Sequence, residues 1–545
     1  MSVRITRRHL ISSAAISSAA LGLGLGPLPG YAQLLAARGF THGVASGEPS
    51  ADSVLLWSRF VADGEARLRV EVATDTMFTR VVAGGEALAS PDRDHTAKLT
   101  VAGLEPGRWY FYRFIGPDGS VSPVGRTRTL PVGEVNRFGL GLFSCSNLAF
   151  GWFNAYAHAC NRADLDLVVH VGDYIYEYAR GAYPEAAQAI PGRVIEPANE
   201  LLTLADYRLR YACYRLDADL QRLHQSYPMI AQWDDHEFAN DSWRDGAENH
   251  QNDSEGSWEV RKAIAERVYR EWMPVSDERW REYQIGNLAT LFKLETRISG
   301  RSAPPDLEAA LKGRKDIARA LIEFRDGVLN DPARTLLGNA QEAWLRAALA
   351  RSTASSTRWQ VIAQQILMGE IISPQEAANW VGPNAPEIVR RRLAVGLAAA
   401  RAGLPYDFDS WGGFPAARNR LLGDALQSAA NLVVLAGDSH NAWAQNLALG
   451  KEAVGVEFAT QSVTSPGFEY ALPGVDPLEI ARAVRATNPG LAYFDASRRG
   501  YTSLQLTPDA VTGQFHFLRT VRERDSSLTE SVSLRVRHGR RLLET

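Results

Sequence analysis

From about residue 40 to residue 130, apolar positions recur every second residue in short runs separated by turn residues. That is the pattern of strands with one buried face. Residues 54–59, 66–73, 95–101 and 109–116 are the clearest of these runs. From Arg137 onward the pattern changes. Wholly apolar runs, suited to strands buried on both faces, alternate with helical stretches such as 204–215, 258–272 and 340–351. Further strands are predicted at 290–294, 359–364 and 454–460, with a β-rich tail over 501–538. The pattern predicts a small all-β domain over 33–130, a linker at 131–135, and an α/β (α+β) domain over 136–545 with mixed sheets sandwiched between helices. Residues 301–339, rich in charge and helix formers, are expected at the surface.

Four of the apolar runs end in chemically dense strings: Phe143-Ser144-Cys145-Ser146, Gly172-Asp173-Tyr174-Ile175-Tyr176, Trp233-Asp234-Asp235-His236-Glu237 and Gly437-Asp438-Ser439-His440. Each follows a strand-like run, so each chemical group is expected at the carboxyl end of a buried strand, where open α/β sheets form their sites. Asp173 and Tyr176 share one turn and are able to converge on one ion. A carboxylate bridges two cations, and phenolate is a hard anionic ligand that favours a trivalent ion such as Fe³⁺. Cys145 offers a thiolate to the same ion. Asp438 and His440, two residues apart, point to one side of an extended segment and serve one metal each. Asp234, Asp235 and Asn240 add oxygen donors. His236 is a candidate for binding metal, protonating a leaving oxygen or steadying the transition state. The ordinary alternatives are aromatic packing for Tyr176, a small buried hydrophobe for Cys145 and a solvated acidic loop for 234–237. The coincidence of four strings argues against them, while His170, inside its strand, reads as a core histidine.

The chain has 545 residues, a formal net charge of −3 at pH 7 and three cysteines. That length supports more than one domain, and a net negative chain lacks the basic surface of a nucleic-acid binder. An odd cysteine count leaves at least one thiol unpaired, and Cys160 and Cys213 either pair or stay buried. Residues 1–32 read as a leader. Arg7-Arg8 stands before a weakly hydrophobic Ala/Gly/Leu stretch, with a candidate cleavage site at Gly30-Tyr31-Ala32. That combination resembles a twin-arginine export signal, making the twin-arginine translocase a partner and the protein periplasmic or secreted. No later segment is long and apolar enough to predict a transmembrane helix.

Purple acid phosphatases and related metallophosphoesterases read Gly-Asp-x-x-Tyr, then Gly-Asn-His-Glu or -Asp, then Gly-His-x-His. This chain keeps the first motif and has Trp-Asp-Asp-His-Glu and Gly-Asp-Ser-His at the others. With the Ser-Cys strand end, it closely resembles the PhoD-type alkaline phosphatase/phosphodiesterase family. The likeness extends to Gly43-Val44-Ala45-Ser46-Gly47-Glu48-Pro49, Asp206-Tyr207-Arg208-Leu209-Arg210-Tyr211, Leu294-Glu295-Thr296-Arg297 and Asp409-Ser410-Trp411-Gly412-Gly413-Phe414. Glu295 stands where that family usually has Asp.

The resemblance implies a metallophosphoesterase-like sandwich preceded by a fibronectin III/Ig-like β domain, and a site holding Fe³⁺ beside Ca²⁺, with Zn²⁺ or Mn²⁺ as the alternative. Cys145, Asp173, Tyr176 and His440 would hold iron, and Asp234 or Asp235, Asn240 and Asp438 would serve calcium. The implied reaction is hydrolysis of a phosphate ester by a metal-activated hydroxide, with His236 assisting the leaving group and Arg297 gripping a phosphoryl oxygen. A phospholipase D-like activity on lipid head groups shares the same site, and a non-catalytic binding protein is the rival class. The long connections 179–200, 244–257 and 369–409 are the expected lids.

Overall fold

The computed structural model describes residues 37–382 and 387–544. The leader expected over 1–32 and the first residues of the predicted β domain, 33–36, lie outside the described residues.

Two large sheets face each other. The first has ten strands in the order Leu543–Glu544, Leu528–Arg537, Ala510–Leu518, Gly500–Leu506, Phe138–Phe143, Leu167–His170, Pro228–Ala231, Gly39–Gly47, Val54–Val61 and Thr96–Val101. The second has seven, ordered Arg281–Ile285, Ala289–Lys293, Trp359–Ala363, Leu432–Ala436, Glu452–Ala459, Ala442–Leu449 and Leu491–Asp495. Leu140, Leu142, Val169 and Ile230 of the first interleave with Leu291, Val361, Val433 and Phe458 of the second to fill the space between. Inward-facing residues at every second position make that contact, as strand geometry requires.

Helices cover both outer faces, so the expected sandwich of mixed sheets flanked by helices is the architecture found. Over the ten-stranded sheet lie Asn154–Cys160, Leu204–Arg215, Ala218–Ser226 and Trp258–Trp272, which contribute Tyr156, Tyr211, Leu223 and Trp272 to one core. Leu204–Arg215 starts where the sequence says it should. Thr203 accepts from the Asp206 backbone N–H while the Asp206 side chain takes the Thr203 N–H, satisfying two otherwise orphan donors. Gly338–Ala354 and Pro415–Gln427 cover the seven-stranded sheet through Leu345, Leu349 and Leu422.

Residues 37–130 are all-β, as expected, in two layers around Val44, Leu56, Val70 and Tyr112. Only one layer is a sheet of its own, ordered Val81–Ala89, Ala66–Ala73, Trp109–Ile115 and Gly125–Arg128. The other layer continues the ten-stranded sheet, because Gly39–Gly47 pairs in parallel with Pro228–Ala231, Ser46 opposite Pro228. Periodicity identifies a strand but not its partner, so this continuity was not legible in the sequence. The segment expected at the surface, 301–339, carries the helix Ile317–Phe324, whose Leu321 and Phe324 join Leu329, Ala399 and Leu404 in a small core of their own. Cys145, Cys160 and Cys213 form no disulfide with one another, and the Cys213 thiol donates to the Val194 carbonyl. Among the described residues no helix is long and apolar enough to cross a membrane.

Candidate metal centre

Three of the four strings leave the ten-stranded sheet side by side. Its strands Phe138–Phe143, Leu167–His170 and Pro228–Ala231 run parallel, with Phe143 opposite His170 and His170 opposite Ala231. The fourth leaves the facing sheet from Leu432–Ala436, which also lies between parallel neighbours. Two glycines allow the ends to meet. A Cβ on Gly437 would lie 2.2 Å from Ser144 Oγ, and one on Gly172, at φ +104°, would lie 2.3 Å from Asp234 Cβ. The Gly-Asp pairing therefore has a steric cause. The glycine admits the neighbouring strand end and the aspartate follows into the gap.

Of the twelve non-glycine residues with positive φ among those described, five belong here: Cys145, Asp173, Asp241, Asp438 and His440. Left-handed backbone costs a non-glycine residue about 1–3 kcal/mol and survives only where the surroundings over-determine it, a condition concentrated at ligand clamps. Glu237 is part of what over-determines it. Its buried carboxylate accepts from the backbone N–H groups of Asp173 at 3.1 Å, Tyr174 at 2.5 Å and Asp234 at 2.6 Å. Burial nevertheless pushes Glu237 up to about 7.

The candidate iron ligands converge. Sγ of Cys145, a carboxylate oxygen of Asp173 and a ring nitrogen of His440 lie within 4.8 Å of one another. Tyr176 Oη donates to Asp173 Oδ2 at 3.1 Å and lies 3.2 Å from His440 Nε2 and 2.5 Å from Ser465 Oγ. His440 Nδ1 is 2.7 Å from the Pro466 carbonyl, which only accepts. The proton is therefore on Nδ1 and the Nε2 lone pair faces the cluster, as a metal-bound histidine requires. Burial lowers His440 to about 3, leaving it neutral. Burial also holds the Cys145 thiol and the Tyr176 phenol well above their usual ranges, with Asp173 adding to both. Only a strong positive charge would ionise them here.

A second cluster joins Asp234, Asp235 and Asp438, and a third joins Asp235, Asp241 and Asp409. Burial raises the carboxyls of Asp173, Asp234, Asp241 and Asp438. Asp235 also feels burial, but Arg297 and His236 outweigh it and hold it at about 2. Asp173 Oδ1 and Asp234 Oδ2 are buried without a hydrogen-bond partner. Crowded, buried carboxylates with orphaned oxygens are a donor set that fits a cation. Asn240 stands at the margin, donating its backbone N–H to Glu177 at 2.8 Å and its amide to Glu248 at 3.3 Å.

His236 packs 4.4 Å from the Tyr176 ring, centre to centre, and groups with Asp173 and Asp235. Its Nδ1 meets Glu177 Oε2 at 2.7 Å, so Nδ1 carries a proton and Nε2 faces the aspartates. Burial alone would lower its pKa, but Asp235, Asp173 and Glu177 raise it well above the ordinary value. Removing one negative neighbour must lower it. Glu177→Gln is expected to cut kcat about 10–100-fold and to move the alkaline limb of the kcat/KM–pH profile to lower pH, because the imidazolium is lost sooner. A profile that does not move would separate Glu177 from His236.

Arg297 lies among the carboxylates. It is 0% exposed, with Nε on Asp234, Nη1 on Asp409, and Nη2 at 2.8 Å from Asp438 and 3.7 Å from Asp235. Three of its N–H groups go to the carboxylates of Asp234, Asp409 and Asp438. Sequence reasoning gave no role to Glu177, Asp241, Asp409 or Ser465. Asp241 and Asp409 had a signal, since Asp241 follows Asn240 and Asp409 opens one of the quoted motifs. Ser465 had none.

A PhoD-like phosphatase model matches residues 140–515, and a model of the N-terminal domain of PhoD-like phosphatases matches residues 29–131. The chain belongs to the PhoD-like phosphatase family. It is 33% identical to alkaline phosphatase D of Bacillus subtilis (strain 168) over 97% of this chain and 87% of that one. It also superposes on a solved structure of PhoD with a TM-score of 0.76 at 29% identity, covering 93% and 92% of the two chains. As a PhoD-like phosphatase the protein is a phosphoric ester hydrolase, and its acidic and histidine clusters are candidate metal sites in a metal-dependent family.

Proposed function

We propose that this PhoD-like phosphatase is an exported alkaline phosphatase/phosphodiesterase that uses iron(III) beside calcium in a metallophosphoesterase-like sandwich. The observation that carries the reading is the joining of two unlike donor sets. Thiol, phenol and imidazole gather with an Asp173 carboxylate, whereas Asp234, Asp235 and Asp438, and likewise Asp235, Asp241 and Asp409, form groups of carboxylates alone. Cys145, Asp173, Tyr176 and His440 would hold iron(III), which hard anionic ligands favour. Asp234, Asp235, Asn240 and Asp438 would serve calcium, and Asp241 and Asp409 extend the same oxygen-only set. The bound cations would supply an activated water and neutralise charge on the phosphoryl oxygens.

The chain's own residues do the rest. His236, fixed by Glu177, would donate a proton to the departing oxygen, and its raised pKa keeps that proton available in the alkaline range. Tyr174 and Glu237 hold the turn that aims Asp173. Arg297 would hold the ligand carboxylates in register and offset their mutual repulsion.

We read residues 33–130 as a β module and 136–545 as the catalytic part, although they share a sheet. The Arg7-Arg8 leader would direct the chain through the twin-arginine translocase to the periplasm or the medium, which cell fractionation decides. Elemental analysis and a visible spectrum, on the purified protein and on Tyr176→Phe, test the site. Iron and calcium near stoichiometric amounts are expected, with a visible band that Tyr176→Phe loses or shifts. Colourless protein carrying zinc or manganese would sink the iron–calcium assignment and leave the hydrolase.

A further inference from the structure

An apolar pocket lies against the seven-stranded sheet, and one of its wall residues, Trp443, hydrogen-bonds the segment that carries Asp438 and His440. Its walls include Trp443, Tyr406, Phe468, Leu472, Trp380 and Gly396. Three separate links tie those walls to the site. The Trp443 indole N–H donates at 2.7 Å to Ser439 Oγ, between Asp438 and His440. Phe468 lies two residues beyond Pro466, whose carbonyl takes the His440 Nδ1 proton. Tyr406 lies three residues before Asp409, and its ring centre is 5.7 Å from that of Phe468. The walls are braced from behind, with Trp443 stacked on Phe494 at 3.9 Å and Phe468 edge-on to the same ring at 5.7 Å.

The pocket encloses about 60 Å³. At about 10–15 Å³ per water-sized group, that is room for roughly four to six methylene-sized groups, a short alkyl chain or one aromatic ring. Such a cavity, lined by tryptophan, tyrosine, phenylalanine and leucine, favours hydrocarbon over a sugar or a charged group.

We infer that this pocket receives the hydrocarbon arm of the alcohol esterified to the phosphate, so the preferred substrates are phosphate esters of apolar alcohols. The inference rests on the proposed hydrolysis of phosphate diesters at the candidate metal cluster. Each methylene that enters the pocket is expected to raise kcat/KM about fourfold, levelling off after roughly four to six carbons.

Gly396 supplies a clean probe. It lies in the helix Glu387–Arg401, and a Cβ built on it meets nothing within 4 Å. Gly396→Leu should therefore fill the pocket without displacing backbone. The test uses alkyl 4-nitrophenyl phosphate diesters from methyl to hexyl, at concentrations where all are monomeric. The wild-type protein is expected to show the rise with chain length. Gly396→Leu should show a flat series, with its methyl-ester rate and melting temperature unchanged. Alkylphosphonates of the same lengths, read by tryptophan fluorescence, report pocket occupancy independently of turnover. A flat wild-type series, a rise that survives Gly396→Leu, or a preference seen only with phospholipid vesicles and absent with monomers would each overturn the pocket assignment. Chain-length-dependent phosphonate binding without diester hydrolysis would instead remove the diesterase reading and leave the pocket.

Discussion

Replacing Asp173 with Ala is expected to lower kcat/KM for phosphate-ester hydrolysis by about three orders of magnitude or more, since each 1.36 kcal/mol of lost transition-state stabilisation is tenfold. Asp173 belongs both to the group with Cys145 and His440 and to the group with Asp235 and His236. Its Oδ2 takes the Tyr176 hydroxyl proton, while its Oδ1 is buried without a hydrogen-bond partner. One side chain thus serves both donor sets, and its loss should empty or scramble both. Stability should move the other way. Burial beside Asp235, Glu237 and Asp438 raises its carboxyl well above the usual range. In chelator-stripped protein the alanine variant removes a repelled carboxylate and is expected to melt no lower than wild type. Metal content, kcat/KM and melting temperature measured together check this. Activity within tenfold of wild type would sink the shared-ligand role. Activity lost together with stability would make Asp173 a structural residue. Sites that trade stability for ligand geometry behave in the first way.

Arg297→Met is expected to do the opposite, destabilising the chelator-stripped protein by about 3–5 kcal/mol, the usual cost of leaving buried charges without their partner. Asp234, Asp235, Asp409 and Asp438 all lose their shared cation at once. The deficit has a pH signature. Asp234 and Asp438 already have carboxyls raised by burial, so in the variant they ionise in the folded state at a higher pH than in the unfolded chain. Such groups stabilise the fold when protonated, and that contribution is lost as pH rises through the folded value. The variant should therefore approach wild-type stability as pH falls towards the ordinary carboxylate range and diverge from it above. Added calcium should restore part of the loss, since a divalent ion supplies the missing positive charge. Equal stability at neutral pH, with and without calcium, would show that Arg297 does not balance this cluster.

Much of the candidate site was legible because its signals are local. A wholly apolar strand followed by Gly-Asp, Ser-Cys or Asp-Asp-His can be read within ten residues, and each of the four strings does follow a strand of the two large sheets. The helices Leu204–Arg215 and Trp258–Trp272 coincide with their predicted ranges, the first opening on the Thr203–Asp206 capping box and the second without a side-chain cap. Several strands escaped notice for equally local reasons. Val81–Ala89, mostly exposed and interrupted by two glycines, shows no alternation to read.

The sequence by itself determined which stretches form strands and helices and set the dense strings at four strand ends, because period, burial and turn preference are properties of a few neighbouring residues. Only the tertiary structure decided what those residues meet. Glu177 reaches His236 across 59 positions, Tyr176 reaches Ser465 across 289, and Arg297 reaches Asp438 across 141. It set Arg297 among the carboxylates of Asp234, Asp409 and Asp438. It also fused the β module to the catalytic sheet and built an apolar pocket from segments far apart in the chain. Those outcomes depend on which strand ends lie side by side once two sheets close over a common core, and no short stretch of sequence carries that information.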